Sequence, residues 1–152
     1  MKLTFQLLRE GAAVPVRATA SSAGLDLTAC LTEPVIIPPH EIRLIPTGLA
    51  AAPDRSDVML MLCARSGLAA KHGIGMANGV GIVDADYRGE ICVPLINQSS
   101  VPFEITGGMR IAQLIAVPVV LPEICTAETL LETARGTGGF GSTGIDQTPL
   151  NP

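Results

Sequence analysis

Charge is what this sequence has least of: Asp, Glu, Lys and Arg make up 16% of it, against 47% apolar residues. A chain with so few charges for its surface is suited to being covered by a partner, so a homo-oligomer is expected. The net charge of −4 gives no electrostatic pull toward nucleic acid or an acidic membrane. Histidine is confined to His40 and His72, and Cys30, Cys63, Cys92 and Cys125 form no Cys-x-x-Cys pair. That excludes a structural zinc site or a histidine-rich metal centre and points to reduced thiols in the cytoplasm. No apolar run reaches the ~20 residues of a membrane span. The short apolar run at the N-terminus is cut by Arg9 and Glu10 before a signal-peptide core is complete.

Helical periodicity is also nearly absent. In its place, short Val-, Ile- and Leu-rich runs recur between glycine and proline signals, at residues 2–8, 25–31, 42–50, 58–63, 90–96 and 109–120. The chain therefore reads as all-β, with residues 1–134 as one domain. Leu25, Leu27, Ala29 and Leu31 alternate with Asp26, Thr28 and Cys30, the pattern of a half-buried strand, whereas 58–63 is apolar throughout and predicts burial on both faces. The one helical candidate is residues 66–72, with Ser66 to cap it and Gly73 to end it. Residues 145–152 are expected to be disordered.

Four internal segments carry chemistry. Residues 78–90 predict a β-hairpin whose corner gathers Asp84, Asp86 and Tyr87; these are either turn formers or a cleft in which Asp84 serves as a base. Arg65, Ser66 and Gly67 stand at the mouth of the short helix, as an anion site or simply as a cap. Arg110 and Gln113 are an odd number apart on one strand, which predicts opposite faces. Asp26 lies on the polar side of its strand, where it could serve a hydrated cation. His72, beside Lys71 at a helix end, reads as structural.

The C-terminal segment 135–144, Arg-Gly-Thr-Gly-Gly-Phe-Gly-Ser-Thr-Gly, has five glycines, one arginine, three hydroxyls and one aromatic. That composition reads either as a mobile linker or as an arm that cradles phosphate with backbone N–H groups while Phe140 stacks on a base. It is no Walker loop, because no Gly-Lys-Ser/Thr ending is present. Eight of the ten basic residues are arginines, suited to forked phosphate contacts.

Ala-Gly-Leu-Asp-Leu at 23–27, Arg-Ser-Gly-Leu-Ala at 65–69, Gly-Ile-Val-Asp-Ala-Asp-Tyr-Arg-Gly at 81–89, Gly-Met-Arg-Ile-Ala-Gln-Leu-Ile at 108–115 and the 135–144 segment resemble, in order, the five motifs of the trimeric dUTP diphosphatases (dUTPases). The resemblance implies a homotrimer of distorted jelly-roll, β-clip subunits that hydrolyses dUTP to dUMP and pyrophosphate with Mg²⁺, at sites shared between chains. It makes Asp84 the general base and Tyr87 the ring under the deoxyribose. Asn78, Gly79, Ile82, Val83 and Cys92 fall where the family holds uracil. Arg65, Ser66, Gly67 and Gln113 match phosphate contacts; Arg135, Phe140, Gly141, Ser142 and Thr143 match the closing arm. Asp26 resembles the residue that meets the triphosphate-bound Mg²⁺ through water. Two positions depart from the pattern. Ala64 replaces a proline, and Met109 replaces the acidic residue before Arg110, which then needs another partner. A related dCTP deaminase and a nucleotide-gated regulatory module are the competing readings; the complete Gly-rich segment weighs against the first and the lack of long insertions against the second.

Overall fold

The computed structural model describes residues 1–139. It divides into two units, Met1–Leu121 and the described residues from Pro122 onward. The first unit holds every strand and the helix found among the described residues. In order these are β1 (Leu3–Leu7), β2 (Leu25–Thr28), β3 (Val35–Ile37), β4 (Ile42–Pro46), β5 (Leu49–Pro53), β6 (Val58–Ala64), α1 (Ser66–His72), β7 (Ile74–Met76), β8 (Gly81–Val83), β9 (Cys92–Asn97), β10 (Phe103–Ile105) and β11 (Arg110–Pro118). The all-β expectation holds. The described part of the second unit, residues 122–139, has turns but neither strand nor helix.

The strands form small antiparallel sheets: β1 with β5, β10 with β3, a four-stranded β2-β11-β6-β8 and a three-stranded β4-β9-β7. Alternation decides which faces meet. Leu27, Leu60, Leu62 and Leu114 from the four-stranded sheet pack with Ile45, Val93, Leu95, Ile74 and Ile105 in one core, each at 3% exposure or less. Burying one such side chain stabilises the fold by about 1.5–3 kcal/mol.

Four expectations are corrected. β6 is buried on one face only: Val58, Leu60 and Leu62 are buried while Met59, Met61 and Cys63 are half-buried. Met59 and Met61 lie opposite Val117 and Ile115 of β11, so the outer face of this sheet carries an apolar stripe. The run 42–50 is two strands, because Gly48 turns the chain between them with φ +69°. A side chain there would meet Ala12 Cβ at 2.7 Å and Cys30 Sγ at 2.9 Å, so only glycine fits. Residues 78–90 form no hairpin ladder: β8 pairs with β6, and the next strand, β9, pairs with β4 and β7 in another sheet. Ser66 is not the cap of α1; Arg65 is the N-cap residue and no side chain caps it. Gly73 does end the helix, in the left-handed conformation with φ 67°.

Candidate active site

Two clusters of side chains stand out, at opposite ends of β6. The first is built on the corner after β8. Gly81 lets β8 lie against Leu62, whose side chain would touch an added Cβ at 3.1 Å, and Val83 pairs with Leu60. Beyond Val83 the chain turns: Tyr87 N–H donates to Asp84 O at 3.1 Å, and Arg88 Nη1 donates to the carbonyls of Ala85 and Tyr87 at 2.8 and 2.9 Å. A cavity of about 250 Å³ opens beside this turn, lined by Ile82, Val83, Asp84, Tyr87, Glu90, Ile91 and Cys92. Asp84 is exposed at its edge. Asp86 does not line this cavity. Burial, with the nearby Glu90 charge adding to it, pushes the Cys92 thiol above its ordinary range.

The second cluster centres on Asp26 of β2, which is 6% exposed. Arg110 Nη1 meets Asp26 Oδ2 at 3.0 Å, Arg65 Nε meets Oδ1 at 3.5 Å, and Gln113 Nε2 donates to Oδ1 at 3.4 Å. Arg65 also donates from Nη1 to Arg110 O at 3.0 Å. Asp26 is thus the partner that Arg110 needs in the absence of an acidic neighbour at 109. The expectation that Arg110 and Gln113 face opposite ways fails, and its cause is a register shift between Arg110 and Ala112 against β2. The extra residue, Ile111, is buried beside Ala112, at 1% and 0%, and the bulge brings Gln113 to the same carboxylate as Arg110.

The other expected residues are scattered. Ser66 and Gly67 are exposed at the start of α1, and Asn78 and Gly79 are exposed on the turn before β8, outside the cavity lining. Arg135 lies in the second unit, where its Nε donates to Gly138 O at 2.9 Å. Phe140, Gly141, Ser142 and Thr143 lie outside the described residues. His72 stacks at a tilt on Phe103 with ring centroids 5.0 Å apart, a structural use. Among the described residues no three His, Cys, Asp or Glu side chains are grouped to hold a metal ion. Both Asp26 oxygens are already engaged by cationic or amide N–H groups, so direct metal ligation there does not fit. Residue-type reasoning missed Glu90 and Arg9. Glu90 lines the cavity and its Oε2 meets Arg9 Nη2 at 2.5 Å; the signal was a charged residue directly after the Tyr-Arg-Gly turn.

A sequence model of the dUTPase family matches residues 10–144. The chain is 54% identical over 138 residues to a deoxyuridine 5'-triphosphate nucleotidohydrolase of Maricaulis maris, covering 89% of this chain and 90% of that one. It is 51% identical over 132 residues to the protein of that name in Desulfitobacterium hafniense, covering 87% of each. Among solved structures, a mutant dUTPase of Staphylococcus bacteriophage 80alpha with dUpNHpp superposes at a TM-score of 0.86 with 26% identity, covering 95% of this chain and 99% of that one. The likeness extends to the β-clip, jelly-roll architecture expected from the motifs.

Proposed function

The chain belongs to the dUTPase family, and from that premise we propose how its residues hydrolyse dUTP to dUMP and pyrophosphate. The observation that carries the proposal is the cavity that collects Asp84, Tyr87 and Cys92 beside the β8 corner. Asp84 takes the proton of the attacking water, the water oxygen bonds to the α-phosphorus, and the bridging oxygen leaves with pyrophosphate. Tyr87 packs under the deoxyribose and leaves no room for a 2′-hydroxyl. Asn78, Gly79, Ile82, Val83 and Cys92 hold uracil. Arg65, Ser66, Gly67 and Gln113 bind the phosphates, with Asp26 fixing the Arg65 fork and the Gln113 amide from behind. Arg135, Phe140, Gly141, Ser142 and Thr143 close over the site and exclude bulk water. Bound with the triphosphate, Mg²⁺ would neutralise part of its charge, and Asp26 would hold it only through water.

The proposal extends to a homotrimer in the cytoplasm, with each site shared between chains. Four observations support it. The cavity of about 250 Å³ is smaller than the ~300–1,000 Å³ of complete ligand pockets. Leu60, opposite Val83, and Arg65 are five residues apart along an extended chain, about 16 Å at ~3.3 Å per residue. Groups acting on one phosphorus must lie within hydrogen-bond reach of it, so the β8 corner of one chain works with the Asp26 cluster of a neighbour. The apolar stripe of Met59, Met61, Ile115 and Val117 supplies a face for that neighbour. Cys30, Cys63, Cys92 and Cys125 are free thiols, in keeping with a reducing compartment.

The test is pyrophosphate release from each common nucleoside triphosphate, with ammonia measured alongside. Rapid release from dUTP alone is expected, falling when Mg²⁺ is chelated. Asp84→Asn should lower kcat about 10²–10⁴-fold while a non-hydrolysable dUTP analogue still binds. Normal turnover in Asp84→Asn would sink the base assignment, and ammonia release from dCTP would reassign the reaction.

A further inference from the structure

Tyr87 is the only tyrosine of the chain, and there is no tryptophan. Its ring is folded back over the residues that follow it. A Cβ on Gly89 would stand 2.3 Å from the Tyr87 hydroxyl oxygen and 2.5 Å from Cζ, so residue 89 must be glycine for the ring to lie there. The hydroxyl donates to the backbone carbonyl of Glu90 at 3.2 Å. Tyr87 lines the cavity and is 46% exposed, so the ring's position depends on what holds the 89–90 backbone beneath it.

That backbone is held by the turn between β4 and β5. Glu90 Oε1 accepts the Gly48 N–H at 2.8 Å, and Oε2 pairs with Arg9 at 2.5 Å. Ile91 N–H donates to Leu49 O at 2.7 Å, and Ile91 O accepts the Thr47 hydroxyl at 2.6 Å. Gly48 in turn accepts Leu8 N–H at 2.8 Å, so the end of β1 joins the same knot. The Glu90 carboxylate is 17% exposed, shielded enough for both of its contacts to matter, while Arg9 is 54% exposed and its ion pair is screened. The Gly48 contact is therefore the stronger of the two.

We propose that Glu90 is a positioning residue for sugar selection: its carboxylate, fixed on Gly48 and Arg9, holds the seat on which the Tyr87 ring rests. The inference builds on the reading that Tyr87 packs against deoxyribose. It assigns to this carboxylate no contact with the reacting atoms, so its loss acts on discrimination and KM more than on kcat.

The sole tyrosine makes the test direct, because acrylamide quenching of intrinsic fluorescence reports Tyr87 alone. Glu90→Ala should raise the quenching constant toward that of free tyrosine. It should also lower the ratio of kcat/KM for dUTP over UTP about tenfold, the factor carried by 1.4 kcal/mol. Glu90→Gln keeps an acceptor for Gly48 and should recover most of both values; Arg9→Met should give a small rise in quenching. Unchanged quenching in Glu90→Ala overturns the proposal, as does equal loss in Glu90→Ala and Glu90→Gln. Should Glu90→Ala fail to fold, Arg9→Met carries the test, and no rise in its quenching overturns the proposal. Tyr87→Ala separates this from the underlying reading: if that variant discriminates dUTP from UTP as the parent does, sugar selection by the ring fails whatever Glu90 does.

Discussion

At the scale of single residues, Asp26 shows how a carboxylate can be central to the proposed phosphate site without touching phosphate. It is nearly buried, and two guanidinium groups and an amide point at it. Asp26→Asn removes the charge that gathers them. Because Arg110 is half exposed and screened by water, the stability cost should be about 1–3 kcal/mol, read from urea unfolding, with a larger proportional loss in kcat/KM for dUTP. Cys92 is a second reporter. Burial and Glu90 both raise its pKa, so less thiolate is present at a given pH and its alkylation by iodoacetamide at pH 8 should be slower than that of an ordinary cysteine. The rate should climb with pH to a midpoint above the ordinary one. Glu90→Gln removes the second of those causes and should speed the reaction, measured by mass spectrometry of the Cys92 peptide. The identities of Asp84, Tyr87 and Arg65 were legible in the order of motifs. The role of Glu90 was not, because an acidic residue after a turn is ordinarily a solvated one.

Among the elements, the bulge in β11 matters most for the site. Two consecutive residues, Ile111 and Ala112, are buried where a regular strand would bury alternate ones, and the parity of everything after them is reversed. Deleting Ile111 should remove the bulge and leave Arg110 opposite Thr28 and Gln113 opposite Asp26, at the cost of one fully buried side chain. The expected outcome is a lower Tm with triphosphate binding retained, measured by calorimetric titration of a non-hydrolysable analogue. Helix α1 depends on its ending. Gly73 has positive φ, and an added Cβ would lie 3.0 Å from Ser99 N. Gly73→Ala should cost about 1–2 kcal/mol for the left-handed conformation alone, visible as a lower Tm. Hydrophobic runs located the long strands, but three-residue strands such as β3, β7, β8 and β10 are too short to produce a period, and the split of 42–50 into β4 and β5 rests on one glycine's φ.

On the scale of the whole molecule, the two ends of β6 carry the two clusters of the proposed site, and the proposed trimer brings clusters from different chains together. A chain ending at residue 134 should keep its assembled mass in light scattering and lose efficient dUTP turnover, about 10²-fold or more if closure supplies preorganised contacts to the triphosphate. Retained turnover would remove the arm from the mechanism.

The sequence by itself determined the all-β class, the family and the kinds of side chain available, because these depend on local patterning and residue chemistry. It did not determine which residues share a face or a carboxylate. Those were decided by the tertiary structure, through one bulge that reversed a strand's parity, one glycine turn that split a run, and the routing of β8 and β9 into different sheets. Each sets the geometry of the site through contacts between residues distant along the chain, and no local pattern encodes them.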